Sequence, residues 1–184
     1  VIGGGTMGNG IAHVCAQAGL KVTLVDTEQD FLERALNTIF KNLDRQVKKE
    51  IISAGEKDAT VDRISTTTDL EDGVAEAQLV VEAVPEKLDL KEKIFTTLDK
   101  EAPAEAILAT NTSSIPIGRI ATQTSRPDKV IGMHFMNPVP VMKLVEVIRG
   151  LATSDATFQL TWSLSERFGK TPAEANDFPG FIAN

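Results

Sequence analysis

The sequence predicts an α/β fold whose doubly wound, mostly parallel sheet is covered by helices on both faces. Three observations support this prediction. Apolar stretches of strand length alternate with helical patterns along the chain. A G-x-G-x-x-G pattern at residues 3–8 lies between a short apolar stretch and a helical one. Asp26 closes the second apolar stretch, as an acidic residue does in a Rossmann-type dinucleotide-binding fold.

The first half of the chain supplies the opening of that fold. Residues 1–2 are the end of a buried strand, and the glycine turn leads into a helix predicted over residues 7–18. Residues 21–25 form the second strand and residues 64–67 a short one. Between them, residues 28–53 are predicted to be one long helical insertion, because apolar side chains recur there at spacings of mostly three or four.

The second half continues the alternation of strands and helices. Strands are predicted over residues 79–84, 107–110, 130–135 and 144–148, and helices over residues 88–98, 115–121 and 155–168. The last two strands are joined only by a short Asn137-Pro138-Val139-Pro140 segment. A parallel crossover needs a longer connection, so an antiparallel arrangement is favoured there.

Composition limits the function classes. The 184 residues carry 42% hydrophobic and 24% charged residues, enough for one domain with a core. We expect one domain over residues 1–184, truncated at both ends, because the chain opens on a strand stub. A net charge of −7 disfavours a nucleic-acid binder or an anionic-membrane binder. One cysteine excludes an intrachain disulfide, no apolar run reaches the ~18 residues of a membrane span, and we predict no metal site.

The glycine turn predicts a dinucleotide site. Gly3, Gly5 and Gly8 allow a tight turn, a close approach of backbone to a pyrophosphate, and close packing of helix on strand. Asp26 lies 18 residues after Gly8, about where an acid reaches the adenine ribose hydroxyls, and it favours NAD over NADP. The alternative is a structural glycine turn followed by an incidental aspartate.

Polar residues follow several of the predicted strands. Glu86, Asn111, Ser113, His134 and Asn137 all stand at or just beyond a strand end. The carboxyl ends of parallel strands meet at one edge of a sheet, where doubly wound folds bind ligands. Each of these residues has an ordinary alternative role as a turn former or helix cap. Ser113 or Ser114, for example, are candidate caps of the helix predicted from residue 115.

His134 and Glu146 are candidates for a catalytic pair. Glu146 lies inside the apolar strand 144–148, where a carboxylate is costly unless it is paired or exposed. If the two strands are neighbours, Glu146 can orient His134 and stabilise its charged form, which makes the histidine a working general base. The alternative is an exposed edge-strand glutamate and an unrelated histidine. With a bound dinucleotide, the pair suggests oxidation of a secondary alcohol.

Four motifs together resemble the L-3-hydroxyacyl-CoA dehydrogenases, most closely the bacterial 3-hydroxybutyryl-CoA dehydrogenases. They are residues 1–12 (VIGGGTMGNGIA), 111–114 (NTSS), 134–146 (HFMNPVPVMKLVE) and 177–184 (DFPGFIAN). The histidine block is the most specific of them, since other dinucleotide-binding families share the glycine turn but not this block.

The resemblance implies NAD-dependent interconversion of an L-3-hydroxyacyl-CoA and a 3-ketoacyl-CoA, in fatty-acid or butyrate metabolism. It implies His134 as the base, Glu146 as its orienting partner, Ser113 as a hydrogen-bond partner of the substrate oxygen and Asn184 beside the thioester. It also implies a set of NAD-binding residues: Gly3, Gly5, Met7, Gly8, Asp26, Glu86, Lys91, Asn111, Ser113 and Asn137. Asn42 and Lys49 correspond to the family's CoA contacts, and the alternative for this part of the chain is an ordinary solvated helix face.

The resemblance also implies a helical C-terminal domain that is absent from these 184 residues, and a homodimer formed through it. Acyl-CoA is the expected partner, and the compartment is expected to be cytoplasmic, with mitochondria and peroxisomes left open. Two rival functions remain. One is another NAD-dependent hydroxyacid or CoA-ester dehydrogenase on the same scaffold, and the other is a catalytically silent, crystallin-like structural relative.

Overall fold

The computed structural model describes residues 1–178 and 180–182. Its helices are α1 (Thr6–Gln17), α2 (Gln29–Lys48), α3 (Ala54–Val61), α4 (Leu70–Val74), α5 (Leu88–Glu101), α6 (Ile117–Ala121) and α7 (Asp155–Arg167), with a 3₁₀ turn at Pro127–Lys129. Its strands are β1 (Val22–Val25), β2 (Ile64–Thr67), β3 (Leu79–Glu82), β4 (Ile107–Thr110), β5 (Val130–Phe135), β6 (Leu144–Arg149) and β7 (Thr171–Asn176).

The strands form one twisted sheet in which Ile2 occupies the central place. β1 pairs with β2 on one side, and β3 to β7 follow one another in chain order on the other side. Ile2 bridges the two parts through parallel bridges to Val25 and Glu82. The chain therefore runs outward in both directions from its first residues, which confirms the doubly wound α/β prediction.

One strand pair reverses the direction of the sheet. β5 and β6 are antiparallel, whereas every other pair recorded in the described sheet is parallel. The short connection between residues 135 and 144 imposes this reversal, as the sequence predicted. The register places His134 directly opposite Glu146.

Two apolar cores cover the faces of the sheet, because successive strand residues point to opposite sides. One core holds Ile11 of α1, Leu32 of α2 and Phe158 of α7 against the sheet. The other holds Phe95 of α5 and Ile120 of α6. No helix in the described part of the chain combines the length and apolar composition needed to cross a membrane.

The long insertion differs from its prediction. The predicted single helix over residues 28–53 is α2, which ends at Lys48, followed by a separate helix α3. A capping box starts α3: the Ser53 hydroxyl accepts from the Glu56 N–H, and the Glu56 carboxylate accepts from the Ser53 N–H. The S-x-x-E spacing at residues 53–56 was the sequence signal for this boundary.

Two further elements were not predicted, and one was placed too early. The unpredicted elements are α4, a short helix, and β7, a strand with the polar sequence TPAEAN. β7 is the outermost strand next to β6, and an edge strand tolerates proline because the N–H groups on its outer side need no partner strand. α6 begins at Ile117, with Pro116 at its N-cap, so the interpretation of Ser113 or Ser114 as its cap is wrong.

Candidate active site

The glycine turn joins Ile2 to α1 and excludes side chains at two of its positions. Gly3 has a φ of +100°, and a Cβ there would lie 2.9 Å from the carbonyl oxygen of Ala83. A Cβ at Gly8 would lie 1.7 Å from the carbonyl oxygen of Gly3. Both positions therefore require glycine, one for its backbone conformation and the other for close packing of the helix.

Gly5 faces open space, and this opening fits a pyrophosphate. Among the residues that the structure describes, a Cβ at Gly5 would meet nothing within 4 Å, and no side chain caps the N-terminus of α1. The N–H groups of a helix's first turn lack partners within the helix and attract anions. The turn borders a cavity of about 210 Å³, which Phe31 and Arg34 of α2 line from the other side.

Asp26 lies beside this turn at the end of β1. Its carboxylate accepts the Gly4 N–H at 2.6 Å and the Thr27 N–H at 2.7 Å. These bonds fix the carboxylate at the rim of the glycine turn, the place from which an acid binds a ribose diol. The glycine cradle and Asp26 together fit a dinucleotide without a 2′-phosphate.

His134 and Glu146 form a buried pair across β5 and β6. The imidazole Nδ1 lies 2.6 Å from Glu146 Oε2, and the exposed fractions of the two residues are 6% and 0%. A carboxylate at this distance holds the ring proton on Nδ1 and leaves Nε2 as the acceptor. The conditional prediction that these side chains meet is therefore confirmed, and the edge-strand alternative for Glu146 is wrong.

Ser113 lies on the other side of the imidazole. Its hydroxyl is 3.1 Å from His134 Nε2. It therefore stands at the ring nitrogen that is able to accept a proton, just beyond the carboxyl end of β4. A hydroxyl on the substrate that reached this nitrogen would also be within reach of Ser113.

Glu86 organises the loop that carries Ser113. Its carboxylate accepts the Thr112 hydroxyl at 2.5 Å and the Ser113 N–H at 3.0 Å, with Ser114 donating as well. Burial alone would raise the pKa of Glu86, but these donors and the nearby Lys91 ammonium hold that pKa below its usual range. Glu86 is thus an ionised anchor of the loop.

A buried ion pair between Lys91 and Glu82 lies at the carboxyl end of β3. Lys91 Nζ lies 2.6 Å from Glu82 Oε1 and 3.4 Å from Glu86 Oε2, and Lys91 is only 1% exposed. The other oxygen of Glu82 accepts the Thr110 hydroxyl at 2.7 Å. Lys91 is therefore engaged inside the protein, and its proposed contact with the cofactor stays a prediction.

Asn111 and Asn137 lie at the same edge of the sheet in different settings. Asn111 is buried, and its Oδ1 accepts the N–H of Phe135 at 2.8 Å, which joins the ends of β4 and β5. Asn137 is exposed in the loop after β5, and Met7 is half-buried in α1. Their proximity to a cofactor stays a prediction.

The predicted CoA contacts lie on the exposed side of α2. Asn42 accepts a hydrogen bond from Arg45 at 3.2 Å, and Lys49 follows directly after the helix. Asn42, Arg45 and Lys49 are spaced by three and four residues and so share one face. The fourth predicted catalytic residue, Asn184, lies outside the described residues.

His13 and Cys15, both in α1, are deeply buried. His13 lies 3.1 Å from Gln17 through its Nε2, and burial lowers its pKa to about 4. Burial raises the pKa of the Cys15 thiol to about 12. Neither group is ionised near neutral pH, and neither lies at the carboxyl ends of the strands.

Two contributors to the site, Glu82 and Phe181, were not predicted from the sequence. Glu82 sits in an apolar strand, the same signal that identified Glu146, and its cation follows nine residues later in α5. Phe181 packs against the imidazole of His134, with ring centroids 6.0 Å apart. Its place in the chain gave no sign of this contact, because only the fold brings residue 181 back over β5.

Comparisons with known proteins agree with this geometry. The family described as "3-hydroxyacyl-CoA dehydrogenase, NAD binding domain" matches residues 1–178. The whole chain is 48% identical to the probable 3-hydroxybutyryl-CoA dehydrogenase of Bacillus subtilis, covering 64% of it. It is 46% identical to the human mitochondrial hydroxyacyl-coenzyme A dehydrogenase, again over the whole chain, covering 60% of that protein.

A solved structure also has a very similar fold. The structure of (S)-3-hydroxybutyryl-CoA dehydrogenase PaaH1 from Ralstonia eutropha matches with a TM-score of 0.96 and 45% identity, over all of this chain and 64% of the other. The present chain thus spans slightly less than two thirds of the length of these relatives.

Proposed function

Since the chain belongs to the 3-hydroxyacyl-CoA dehydrogenase family through its NAD-binding domain, we propose that it provides the cofactor site and the proton-transferring pair of an enzyme that interconverts L-3-hydroxyacyl-CoA and 3-ketoacyl-CoA. NAD is the cofactor of this domain family. The observation that carries the proposal is the Ser113–His134–Glu146 line, at 3.1 Å and 2.6 Å, at the carboxyl ends of the strands.

The glycine turn and Asp26 are the proposed holders of NAD. The N–H groups at the start of α1 would bind the pyrophosphate, and Asp26 would bind the adenine ribose. Glu86, Asn111 and Asn137 stand at the strand ends toward which the other half of a dinucleotide extends. When bound, NAD supplies a hydride acceptor that the side chains themselves lack.

His134 is the proposed general base for oxidation. Its Nε2 would accept the proton of the substrate 3-hydroxyl, C3 would give up its hydride to the acceptor that NAD would supply, and a carbonyl would form at C3. Glu146 holds Nδ1–H in place and stabilises the imidazolium that results. In reduction the imidazolium returns the proton to the oxygen, and Ser113 hydrogen-bonds that oxygen throughout.

The substrate is proposed to be an acyl-CoA, in fatty-acid or butyrate metabolism. The names of the relatives support this class. Asn42, Arg45 and Lys49 offer polar and cationic groups to an anionic CoA on a chain that is otherwise acidic. Asn184 is the proposed residue beside the thioester.

We also propose that the complete protein is a homodimer through a further helical domain, and that it is cytoplasmic. The length of the relatives beyond the matched region supports a further domain, and the bacterial source of several of them supports the cytoplasmic compartment. Light scattering of the purified protein and cell fractionation test them separately.

The experiment that tests the function is the reduction of acetoacetyl-CoA by the full-length protein, followed through NADH absorbance. Free acetoacetate is the competing substrate, and its preferential use would indicate a hydroxyacid dehydrogenase instead. NADH binding without turnover of either substrate would favour the structural relative. We expect the protein to reduce acetoacetyl-CoA with NADH and not to reduce free acetoacetate.

A further inference from the structure

We infer that the described residues that follow β7, namely Asp177, Phe178 and residues 180–182, act as a positioning element that holds the His134–Glu146 pair in its reactive geometry. We call these residues the closing segment. Their effect on turnover rests on the proposed function, but their effect on the imidazole does not. The closing segment contacts both His134 and Glu146, and Asp177 attaches it to the start of α6.

The first contact is a backbone donor to the buried carboxylate. The Ile182 N–H donates to Glu146 Oε1 at 2.9 Å, while Oε2 of the same carboxylate faces His134. A buried carboxylate is stable as an anion only when donors replace water around it. The Ile182 donor therefore both favours the anion and restrains its rotation relative to the imidazole.

The second contact is an aromatic one. The ring of Phe181 meets the imidazole at a centroid distance of 6.0 Å and an interplanar angle of 60°. Phe181 also has a φ of +48°, a conformation that a bulky residue adopts only when its surroundings enforce it. This conformation allows adjacent residues to contact the two partners, the ring on His134 and the next N–H on Glu146.

The third contact anchors the segment to the body of the domain. The two carboxylate oxygens of Asp177 accept the N–H groups of Ile117 and Gly118, at 2.6 Å and 2.7 Å. Ile117 is fully buried, and a Cβ at Gly132 of β5 would lie 2.9 Å from its side chain. Asp177 therefore attaches the segment to a helix that is itself packed against the strand of His134.

These contacts make Asp177 a positioning residue that acts at a distance. Loss of its carboxylate frees the segment from α6, and the Ile182 N–H and the Phe181 ring then lose their fixed positions. Glu146 is left with one donor fewer, and its orientation relative to the imidazole is less restrained. The Nδ1–Oε2 hydrogen bond should weaken even though neither partner has changed.

The test compares Asp177→Ala with Asp69→Ala in the full-length protein. Asp69 is a matched control because its carboxylate also accepts a backbone N–H at a helix start, that of Asp72 in α4, beside the opposite end of the sheet. The main measurement is the NMR resonance of the proton on His134 Nδ1, identified by its loss in His134→Gln. The kinetic constants for acetoacetyl-CoA and NADH are measured alongside.

We expect Asp177→Ala to move or broaden this resonance and to lower kcat roughly tenfold or more, the size of a lost hydrogen bond to a charged group. Its KM for NADH should stay within about twofold of the wild type, because NADH binding energy should be unaffected by an interaction that acts on the base. Asp69→Ala should lower only the melting temperature. An unchanged resonance and kcat in folded Asp177→Ala would overturn the inference.

A second variant decides the matter if Asp177→Ala fails to fold. Phe181→Leu removes the ring and keeps the backbone, so it should broaden the Nδ1 proton resonance of His134 and lower kcat. A sharp resonance with an unchanged kcat would overturn the inference. If the wild type does not turn over acetoacetyl-CoA, the proposed function fails, but the response of the resonance to these variants still decides the role of the segment.

Discussion

Replacing Glu146 by glutamine removes one negative charge from a buried position and leaves the shape almost unchanged. The carboxylate lies 2.6 Å from Nδ1 of His134 and is completely buried. An uncharged amide at this place stabilises the positive charge of the imidazolium less than the carboxylate does. Its NH₂ group is also able to donate to Nδ1, which would move the ring proton to Nε2 and leave no acceptor toward the substrate.

The expected size follows from these two effects. A hydrogen bond to a charged group contributes about 1.5–3 kcal/mol. At about 1.4 kcal/mol for each factor of ten, its loss slows the reaction roughly 10- to 150-fold. The unfavourable tautomer adds a further factor, so we expect kcat for Glu146→Gln to fall by roughly 10²–10⁴, the range of general-base contributions.

The assay is the steady-state rate in both directions, with NADH absorbance as the signal. Glu174→Gln is the control, because Glu174 is an exposed carboxylate on the adjacent strand β7. The control should keep the wild-type rate. If Glu146→Gln retained kcat within about threefold of the wild type, the argument that a buried carboxylate supports the base would be refuted.

Three other predictions concern the cofactor site and the loop anchor. Asp26→Ala should reduce the preference for NAD over NADP at least tenfold in kcat/KM, about 1.4 kcal/mol, and an unchanged ratio would contradict its ribose role. Gly8→Ala should lower the melting temperature by several degrees, since its Cβ would lie 1.7 Å from a carbonyl oxygen, whereas Gly5→Ala should leave it nearly unchanged, as calorimetry would report. Because the pKa of Glu86 is lower in the folded protein than its unfolded value of 4.5, the ionised carboxylate stabilises the fold at pH values above 4.5. This stabilisation is lost as the pH falls through the pKa of the folded state. Glu86→Gln should therefore flatten the decline of the melting temperature in acid, and an equal decline in both proteins would contradict this.

Much of the sheet was predictable from the sequence, because its strands are short apolar stretches with clear boundaries. Strands β4 and β5 begin and end where the pattern predicts. The glycine turn was predictable for a related reason, since the backbone at Gly3 and the packing at Gly8 exclude other residues. The sequence patterns that reveal these features are local, each lying within a few consecutive residues.

The sequence predicted the His134–Glu146 pair only on the condition that their two strands are neighbours. The apolar setting of Glu146 indicated that it needed a partner, but the antiparallel register of β5 and β6 decides which residue faces it. The same reasoning applied to Glu82 would have suggested a cation, which the structure supplies as Lys91.

The parts that were not predicted depend on contacts between distant residues. β7 is too polar to be recognised as a strand and forms because β6 offers it an open edge. The start of α6 is capped by Asp177, 60 residues from Ile117, so no local pattern reveals it. Phe181 reaches His134 for the same reason, through the path of the chain after β7.

The most direct test of the central claim is the turnover of acetoacetyl-CoA with NADH by the full-length protein, measured for the wild type and for His134→Gln. We predict turnover in the wild type and a loss of roughly 10²–10⁴-fold in the variant, with NADH still bound. A variant that reduced acetoacetyl-CoA at the wild-type rate would contradict the assignment of His134 as the base.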